Sequence, residues 1–533
     1  MSERFAESEL VGDDLVLLLD LTYAGRTWRI STETVDVADG ADWLPYSAGM
    51  SPPQIPAAVA GFSITPESRT VSLELWLPDN ANVPQLVADG HDLSAAFGEL
   101  SYWRRGTDYS KRVRLFAGRA SSPIYGAKNE PIRLSLVSMP LEDRSAILDG
   151  AEVVEVWTWP ASLTAHRGSA YPRVFGWTNV GFTDVYPNTP GWVVDVLNRY
   201  LLIAGTEVVT SSVAVKDLAA GTGWATLSTT TRKDAYGVPV TTVTLPTTGD
   251  AAYSAEGRYV VNWAISTGAM YNRDRTGPIQ TAGELLEWAL NRSTMTIDKG
   301  RTAAAIDRLR GYRLDGFIDG LGVSSWEWIR ANLLPILPIS IQYGPDGLYP
   351  VVYDWQARPE DAHASLDAQR GDVSRVRDAG VEYRNTRGGQ LANEIRVQYG
   401  HDIDKGAPTR TCIVHGDAGQ EAATDRYLNR ACHVSRMRHD TDRPYVYTVS
   451  STLIYRPATA GVVGNWLAAS KALASRRVQY DGPHTLAWVQ PGHVLIVTDT
   501  DIAFASQLCM VVEVQLSSKR VRLTLETLDA TTV

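Results

Sequence analysis

Residues 324–354, SSWEWIRANLLPILPISIQYGPDGLYPVVYD, decide the fold. Ser324 and Glu327 have capping-box spacing, so a helix starts there. Trp326, Ile329 and Leu333 then fall on one apolar stripe. Pro335 and Pro338 end that helix, because each removes a donor and fixes φ. Ile339, Ile341 and Tyr343 alternate with Ser340 and Gln342, the pattern of a strand with one buried face. Pro345-Asp346-Gly347 is a turn signal, and Tyr349, Val351 and Tyr353 alternate on the return strand. A helix on a two-stranded ribbon is one compact unit. β-rich sequence flanks it on both sides, so it reads as a joint between two β assemblies.

The chain has 533 residues, enough for three or four domains. It has 44% hydrophobic and 21% charged residues, the balance of a well-packed globular protein. No apolar run reaches the length of a membrane span, so stable membrane insertion is not expected. The polar, acidic start MSERFAESEL lacks the basic end and apolar core of a secretory signal. Three cysteines, Cys412, Cys432 and Cys509, are too few for a disulfide framework and point to reduced thiols in a protein made in a cytoplasm. The net charge of −10 argues against gripping nucleic acid through its phosphates. It suits a wall that nucleic acid slides past, or simply a soluble surface.

Working outward, residues 1–150 read as a first β domain. DLVLLLDLTY turns at Ala24-Gly25 and returns as RTWRI, with further strands at 70–77, 112–120 and 131–138 and short helices within 82–100. Residues 1–42 hold ten acids against three Arg, whereas 101–119 carries Arg104, Arg105, Lys111, Arg112, Arg114 and Arg119 against Asp108 alone. That basic stretch is either a docking patch for an acidic neighbour or a solvated strand face.

Residues 151–276 form a Thr- and Trp-rich β domain with strands at 192–197, 200–205, 207–215 and 240–245. Trp157, Trp159, Trp177, Trp192 and Trp224 serve as core or subunit contacts, or as a face on which sugars stack. Residues 277–375 hold the joint, preceded by a helix capped by Thr281 and Glu284 and a second at 301–310 that stops at Gly311. Residues 376–533 form the last β domain. It contains strands near 381–386 and 392–400, a short helix at 420–431, and a helix AGVVGNWLAASKALASRR with Val462, Trp466, Ala469 and Leu473 on one side. The strands HTLAWVQ, HVLIVTD, MVVEVQL and RVRLTLETL follow, with turns at Pro491-Gly492 and Ser517-Ser518-Lys519. The fold class is mainly β with α+β parts. The two end domains match in scale without a clean sequence repeat.

Chemistry is sparse. Cys412, His415, Cys432, His433 and His439, with Asp402, Asp404 and Asp417, lack the paired spacing of a structural zinc site. Asp315, Asp319 and Asp195 are the carboxylates nearest a glycosidase pair, and sequence promotes none of them among 60 acids. No nucleophile elbow, phosphate loop or H-E-x-x-H occurs. No catalytic, metal or cofactor residue is assigned, and no enzyme activity is expected.

Three stretches carry a resemblance. The joint looks like the helix–hairpin module of tail hub proteins of long-tailed bacteriophages and gene transfer agents. WLAASKALASRRVQYDGPHTLAWVQPGHVLIVTD looks like the Ala/Leu helix of those hubs and the strands after it, and YPRVFG at 171–176 is similar to a short piece of some. The resemblance implies a structural virion protein related in fold to the contractile-phage baseplate hub. It implies a homotrimer in which each chain supplies two tube-like β-barrels, at the distal tip of the tail. The distal tail protein and tail tube would lie above and tip or fibre proteins below. The tape measure protein would occupy a lumen through which DNA passes unbound. The middle β domain has no place on that plan. A host-glycan adhesin, or an envelope-polysaccharide hydrolase, are the competing readings. The hub reading requires two separate β assemblies, one from each end of the chain.

Overall fold

The computed structural model describes residues 15–23, 25–51, 53, 55–59, 70–76, 90, 93–125, 130–137, 146–148, 150–176, 188–221, 223–263, 270–293, 296–318, 320–344, 346–384, 391–403, 405–417, 425–439, 444–516 and 520–528. The protein is mainly β and multi-domain. Its first strands are β1 (Leu15–Tyr23), β2 (Arg26–Ser31), β3 (Val35–Asp39), β4 (Asp42–Ala48), β5 (Ile55–Val59), β6 (Thr70–Leu75), β7 (Phe97–Arg104), β8 (Val113–Ile124) and β9 (Ile132–Val137), and all but β5 form one sheet. The sheet order is β3-β4-β2-β1-β7-β8-β9-β6. β1 is apolar almost throughout because both its faces are covered. Leu17, Leu19 and Leu21 join the main core with Trp28, Leu73, Phe116 and Leu134, while Val16 and Leu18 pack with Val37, Tyr46 and Trp103 on the reverse. The sheet curls until its far edge returns: Gly49 N–H donates to Ser31 O (3.0 Å) and Trp76 N–H to Gly49 O (2.7 Å). A Cβ at Gly49 would overlap the Trp76 carbonyl, so this seam needs glycine. Of the helices expected within 82–100, the described residues form one 3-10 turn, Leu93–Ala95, and Phe97 onward is strand.

After β10 (Arg173–Phe175), six strands close into a barrel: β11 (Asn188–Asp195), β12 (Tyr200–Ala204), β13 (Ser212–Asp217), β14 (Ala225–Lys233), β15 (Pro239–Thr244) and β16 (Tyr259–Asn262). Val193, Leu201, Ile203, Val213, Val243 and Trp263 fill it. Outside, Val194, Leu202 and Val240 are covered by Val154, Trp159 and Tyr171.

The joint contains α1 (Ala282–Asn291), α2 (Lys299–Arg308), β17 (Gly316–Ile318), α3 (Ser325–Asn332), β18 (Ile339–Gly344) and β19 (Gly347–Val352). Both expected capping boxes form, Thr281–Glu284 on α1 and Ser324–Glu327 on α3. β17 pairs with β10, the strand of the YPRVFG stretch. The ribbon differs from the expected half-buried hairpin, for both its faces are buried. Ile339, Ile341, Leu348 and Val352 enter the core of α1–α3, while Tyr349, Val351 and Tyr353 pack on Val494, Leu508 and Met510 of the C-terminal sheet. Ser340 and Gln342 are buried too, at no polar cost: Ser340 Oγ bonds the Tyr353 hydroxyl (2.8 Å) and accepts from Gln342 Nε2 (3.1 Å).

The chain continues through β20 (Ala364–Asp367), β21 (Ser374–Arg375), β22 (Val381–Arg384), β23 (Glu394–Asp402), β24 (Ala407–His415), β25 (Arg426–Leu428), α4 (Arg430–His439), β26 (Val446–Ser450), α5 (Pro457–Lys471), β27 (Ser475–Gly482), β28 (Val494–Asp499), β29 (Phe504–Leu516) and β30 (Val521–Thr527). β25-β24-β23-β26 form a four-stranded sheet, and Ile395, Val397 and Val414 share the core of α1–α3 with Val463, Trp466 and Leu467 of α5. Four local expectations are corrected. The helix expected over 420–431 is a strand at Arg426–Leu428, with α4 beginning at Arg430; 418–424 lie outside the described residues. α5 ends at Lys471, and Ser475–Arg477 belong to β27. Val462 is exposed, and the buried stripe instead runs through Ala460, Val463 and Leu467. HTLAWVQ opens as a 3-10 turn, His484–Leu486, because Pro483 and the following turns deny it a ladder. The Ser517-Ser518-Lys519 turn lies outside the described residues.

The C-terminal sheet runs β20-β28-β29-β30-β27-β21. Its plan repeats the first. β6, a 3-10 turn, β7, β8 and β9 lie in the order β7-β8-β9-β6; β27, a 3-10 turn, β28, β29 and β30 lie in the order β28-β29-β30-β27. Even the strand entries correspond: Ala120 N–H donates to Ala96 O and Val511 N–H to His493 O, both at 2.8 Å. Among the described residues the two sheets are separate except for one crossing. β5, from the first half, pairs antiparallel with β29 at Val59↔Glu513 and Ala58↔Val514.

Candidate functional site

With few chemical groups converging anywhere, the features that connect the β assemblies are the candidates for function. Three are polar locks. Glu152, 6% exposed, binds both Arg173 at the start of β10 and Arg292 at the end of α1, the latter at 3.1 Å. Arg292 Nε also donates to the Ile147 carbonyl (3.0 Å), so one carboxylate ties the entry segment to the joint. Asp315 beside β17 takes the Arg456 guanidinium at 3.0 Å, 141 residues away, at the N-terminus of α5. Arg114 of β8 reaches Asp346 in the ribbon turn at 3.0 Å, linking the first sheet to the joint. The first two are desolvated and hold geometry; the third is exposed and contributes little energy.

Of the carboxylates weighed as a hydrolytic pair, the two described, Asp315 and Asp195, are each engaged elsewhere. Asp315 is consumed by Arg456, and Asp195 caps its own turn through Asn198 N (2.8 Å). Asp319 lies outside the described residues.

The sulfur and imidazole groups are partly gathered. Cys412 and Cys432 are both fully buried in the joint core, where burial pushes each thiol up to about 12. His415 is buried, its Nδ1 accepts from Asp417 N–H (3.2 Å), and burial, with Arg426 nearby, lowers its pKa. His433 bonds the Gly416 carbonyl (2.8 Å). Asp402 pairs with Lys405 (3.3 Å), and Asp404 lies outside the described residues. Among the described residues no group of three or more His, Cys, Asp or Glu side chains is placed to hold a metal ion.

The basic stretch 101–119 is largely neutralised from within. Arg105 pairs with Glu33, and Arg112 and Arg114 flank Glu99 at 3.6 and 3.5 Å. Of the five tryptophans, Trp159 is buried, Trp192 packs edge-on to His166, Trp224 lies under Lys216, and Trp157 is 60% exposed; Trp177 lies outside the described residues. The sequence reading passed over Tyr236, 65% exposed, whose signal was the Asp234-Ala235-Tyr236-Gly237 turn after a Thr-rich strand. At one end of the C-terminal sheet a polar recess of about 560 Å³ is lined by Asp372, Arg375, Asp481, Asp499 and Arg520, whose charges largely pair with one another. Among the described residues no helix is long and apolar enough to cross a membrane.

No protein-family model and no curated protein match the chain. Solved structures are similar at low identity. The tail protein from Neisseria meningitidis MC58 is 11% identical, with 96% of this chain and 97% of that one covered and a TM-score of 0.36. The 43 kDa tail protein of prophage MuSo2 from Shewanella oneidensis is 9% identical, with coverage of 96% and 98% and a TM-score of 0.32. A chain of the virion of a native gene transfer agent particle is 10% identical, with coverage of 68% and 85% and a TM-score of 0.40.

Proposed function

We propose that the chain is a structural virion protein, a trimeric hub at the distal end of a phage-type tail. The observation that carries this is the repeated plan of β6–β9 and β27–β30, two separate β assemblies in one polypeptide spaced by a ribbon buried on both sides. Two similar barrels per chain convert three copies into six ring positions, so a three-fold component meets a six-fold tube without a second gene product. Residues 1–150 supply one barrel and lend β5 to the other, which is built on β27–β30 of the 376–533 block with β20 and β21 from the end of 277–375. The rest of 277–375, packed with the β23–β26 sheet, holds them at a fixed spacing, and the 151–276 barrel stands apart from the ring. The net charge of −10 keeps a lumen of this kind from retaining DNA. Tube and distal tail protein above, tip or fibre proteins below, and tape measure protein within complete the arrangement, in which the chain has no catalytic role.

The test is mass photometry and negative-stain imaging of the purified chain, with tails assembled in its absence as the second arm. The expected result is a three-fold ring with a central opening, and tails that end unfinished at the tip when the gene is removed. A monomer with no ring at any concentration, together with complete tails in the deletion, overturns the reading.

A further inference from the structure

The central barrel presents a surface that the hub reading does not use. On β14, Ala225 and Leu227 turn inward to the barrel core, while Thr226, Ser228 and Thr230 are exposed on the outer face. This row of hydroxyls leads directly into the turn that carries the exposed Tyr236. Beside it stands the exposed Trp157, because Ala235 N–H donates to Thr158 O (3.0 Å) and stitches the two loops together.

Both loops are held from below. Trp159 Nε1 donates to the Tyr171 hydroxyl (2.9 Å), which donates to Asp234 Oδ2 (3.2 Å). The other oxygen of Asp234 accepts from Tyr236 N–H and Val238 N–H, both at 2.9 Å. On the Trp157 side, Thr158 Oγ1 accepts from Glu155 N–H (2.8 Å) and donates to Val153 O (2.7 Å). Two rings are thus displayed to solvent on backbone fixed by buried hydrogen bonds, which lowers the entropy lost when a ligand stacks on them. Of the two cations that end β14, Arg232 is engaged, stacking 3.6 Å over Tyr200 and donating to Thr242 Oγ1 (3.1 Å), and Lys233 is exposed at the strand's last position. The surface therefore offers a row of hydroxyls and two aromatic planes with one exposed cation at its end. That is the complement of a pyranose, which has a C–H face and a hydroxyl rim, and not of a polyion. From Thr226 to Asp234 the row runs roughly 26 Å, at the rise of a strand, so it matches several linked sugars better than one.

From this we infer that the outer face of β14 and the Trp157–Tyr236 pair bind a neutral oligosaccharide chain. The site goes beyond the ring reading and does not rest on it. Calorimetric titration of the full-length protein with cellohexaose, maltohexaose and chitohexaose tests it. At least one of the three binds the wild type, and Trp157→Ala and Tyr236→Ala each weaken that binding about tenfold or more. Both side chains are exposed, so circular dichroism of the variants is unchanged. Binding of none of the three, or equal binding by wild type and variants, overturns the inference. A second arm uses particles carrying Trp157→Ala: complete tails are expected, whereas tails that fail at the tip identify the pair as a protein–protein contact and also overturn it. Either result leaves the ring test separately readable.

Discussion

Trp466 Nε1 donates to the Ile336 carbonyl at 2.9 Å, joining α5 to the turn after α3 across 130 residues of chain. The ring is 6% exposed, so it contributes both packing and a buried hydrogen bond. Trp466→Phe removes the donor and most of one ring, and is expected to cost about 1–3 kcal/mol. Trp466→Ala adds a cavity and is expected to cost about 3–5 kcal/mol. Urea denaturation of the purified chain checks both, and equal midpoints for the two variants would contradict the account.

Glu152 bridges two guanidinium groups in a site with little access to water. Glu152→Ala leaves both arginines facing an empty, desolvated space, and a loss of about 3–5 kcal/mol is expected. Glu152→Gln keeps the shape and one acceptor and should lose less. The ordering of the two denaturation midpoints is the readout.

Gly347 opens β19 at φ +120°, and a Cβ there would overlap the Thr296 backbone. The strand start and the segment at 296–298 lie in contact, with Leu348 N–H donating to Thr296 O (2.8 Å) and Asp298 N–H to Leu348 O (2.9 Å). Gly347→Ala is expected to cost at least about 2 kcal/mol and to loosen α2 from the ribbon. Hydrogen exchange of the α2 amides reports the second effect directly.

Acid should weaken the fold before its carboxylates titrate. His166 Nδ1 accepts from Val193 N–H (2.7 Å) and His415 Nδ1 from Asp417 N–H (3.2 Å), and burial lowers both pKa values below the ordinary 6.5. Unfolding lets both rings take up protons, so the unfolded chain binds more protons below about pH 6.5 and stability falls as the pH drops through that window towards the depressed folded values. Melting temperature measured from about pH 7 to 5.5 should decline, with a shallower slope in His166→Asn. A flat profile would remove the argument.

Where the chain's own neighbours decide a structure, the sequence was informative. The boxes at Thr281 and Ser324, the β1–β2 hairpin around Gly25 and the β18–β19 ribbon are local, and all formed. Most of the errors trace to long-range partners, with HTLAWVQ, stopped by its neighbour Pro483, the local exception. Ser340 and Gln342 alternate like surface residues but are sealed on the ribbon face that packs against β28 and β29, over 100 residues later. Ser475–Arg477 continue a helical composition but are drawn into strand by β22, with β30 joining at Arg477. The repeat between the two end sheets is absent from the letters because it resides in strand order. For the aromatic surface, the tryptophans were visible, but periodicity alone could not say that Trp159 is buried and Trp157 is not. Tyr236 owed its position to Asp234, which the Asp234-Ala235-Tyr236-Gly237 stretch marks as a turn residue but not as the anchor of an exposed ring.

β5 sits at residues 55–59, and its partner positions on β29 begin at 513. The interval, 513 − 59, is 454 residues. On a ribosome working at roughly 5–20 residues per second, the nascent Ile55-Pro56-Ala57-Ala58-Val59 segment waits roughly 20 to 90 s before its docking site emerges. The final sheet is thus completed by a strand made 454 residues before the strand it docks on. A chain truncated before β29 lacks the partner positions of that segment, so the two sheets lose the strand that links them.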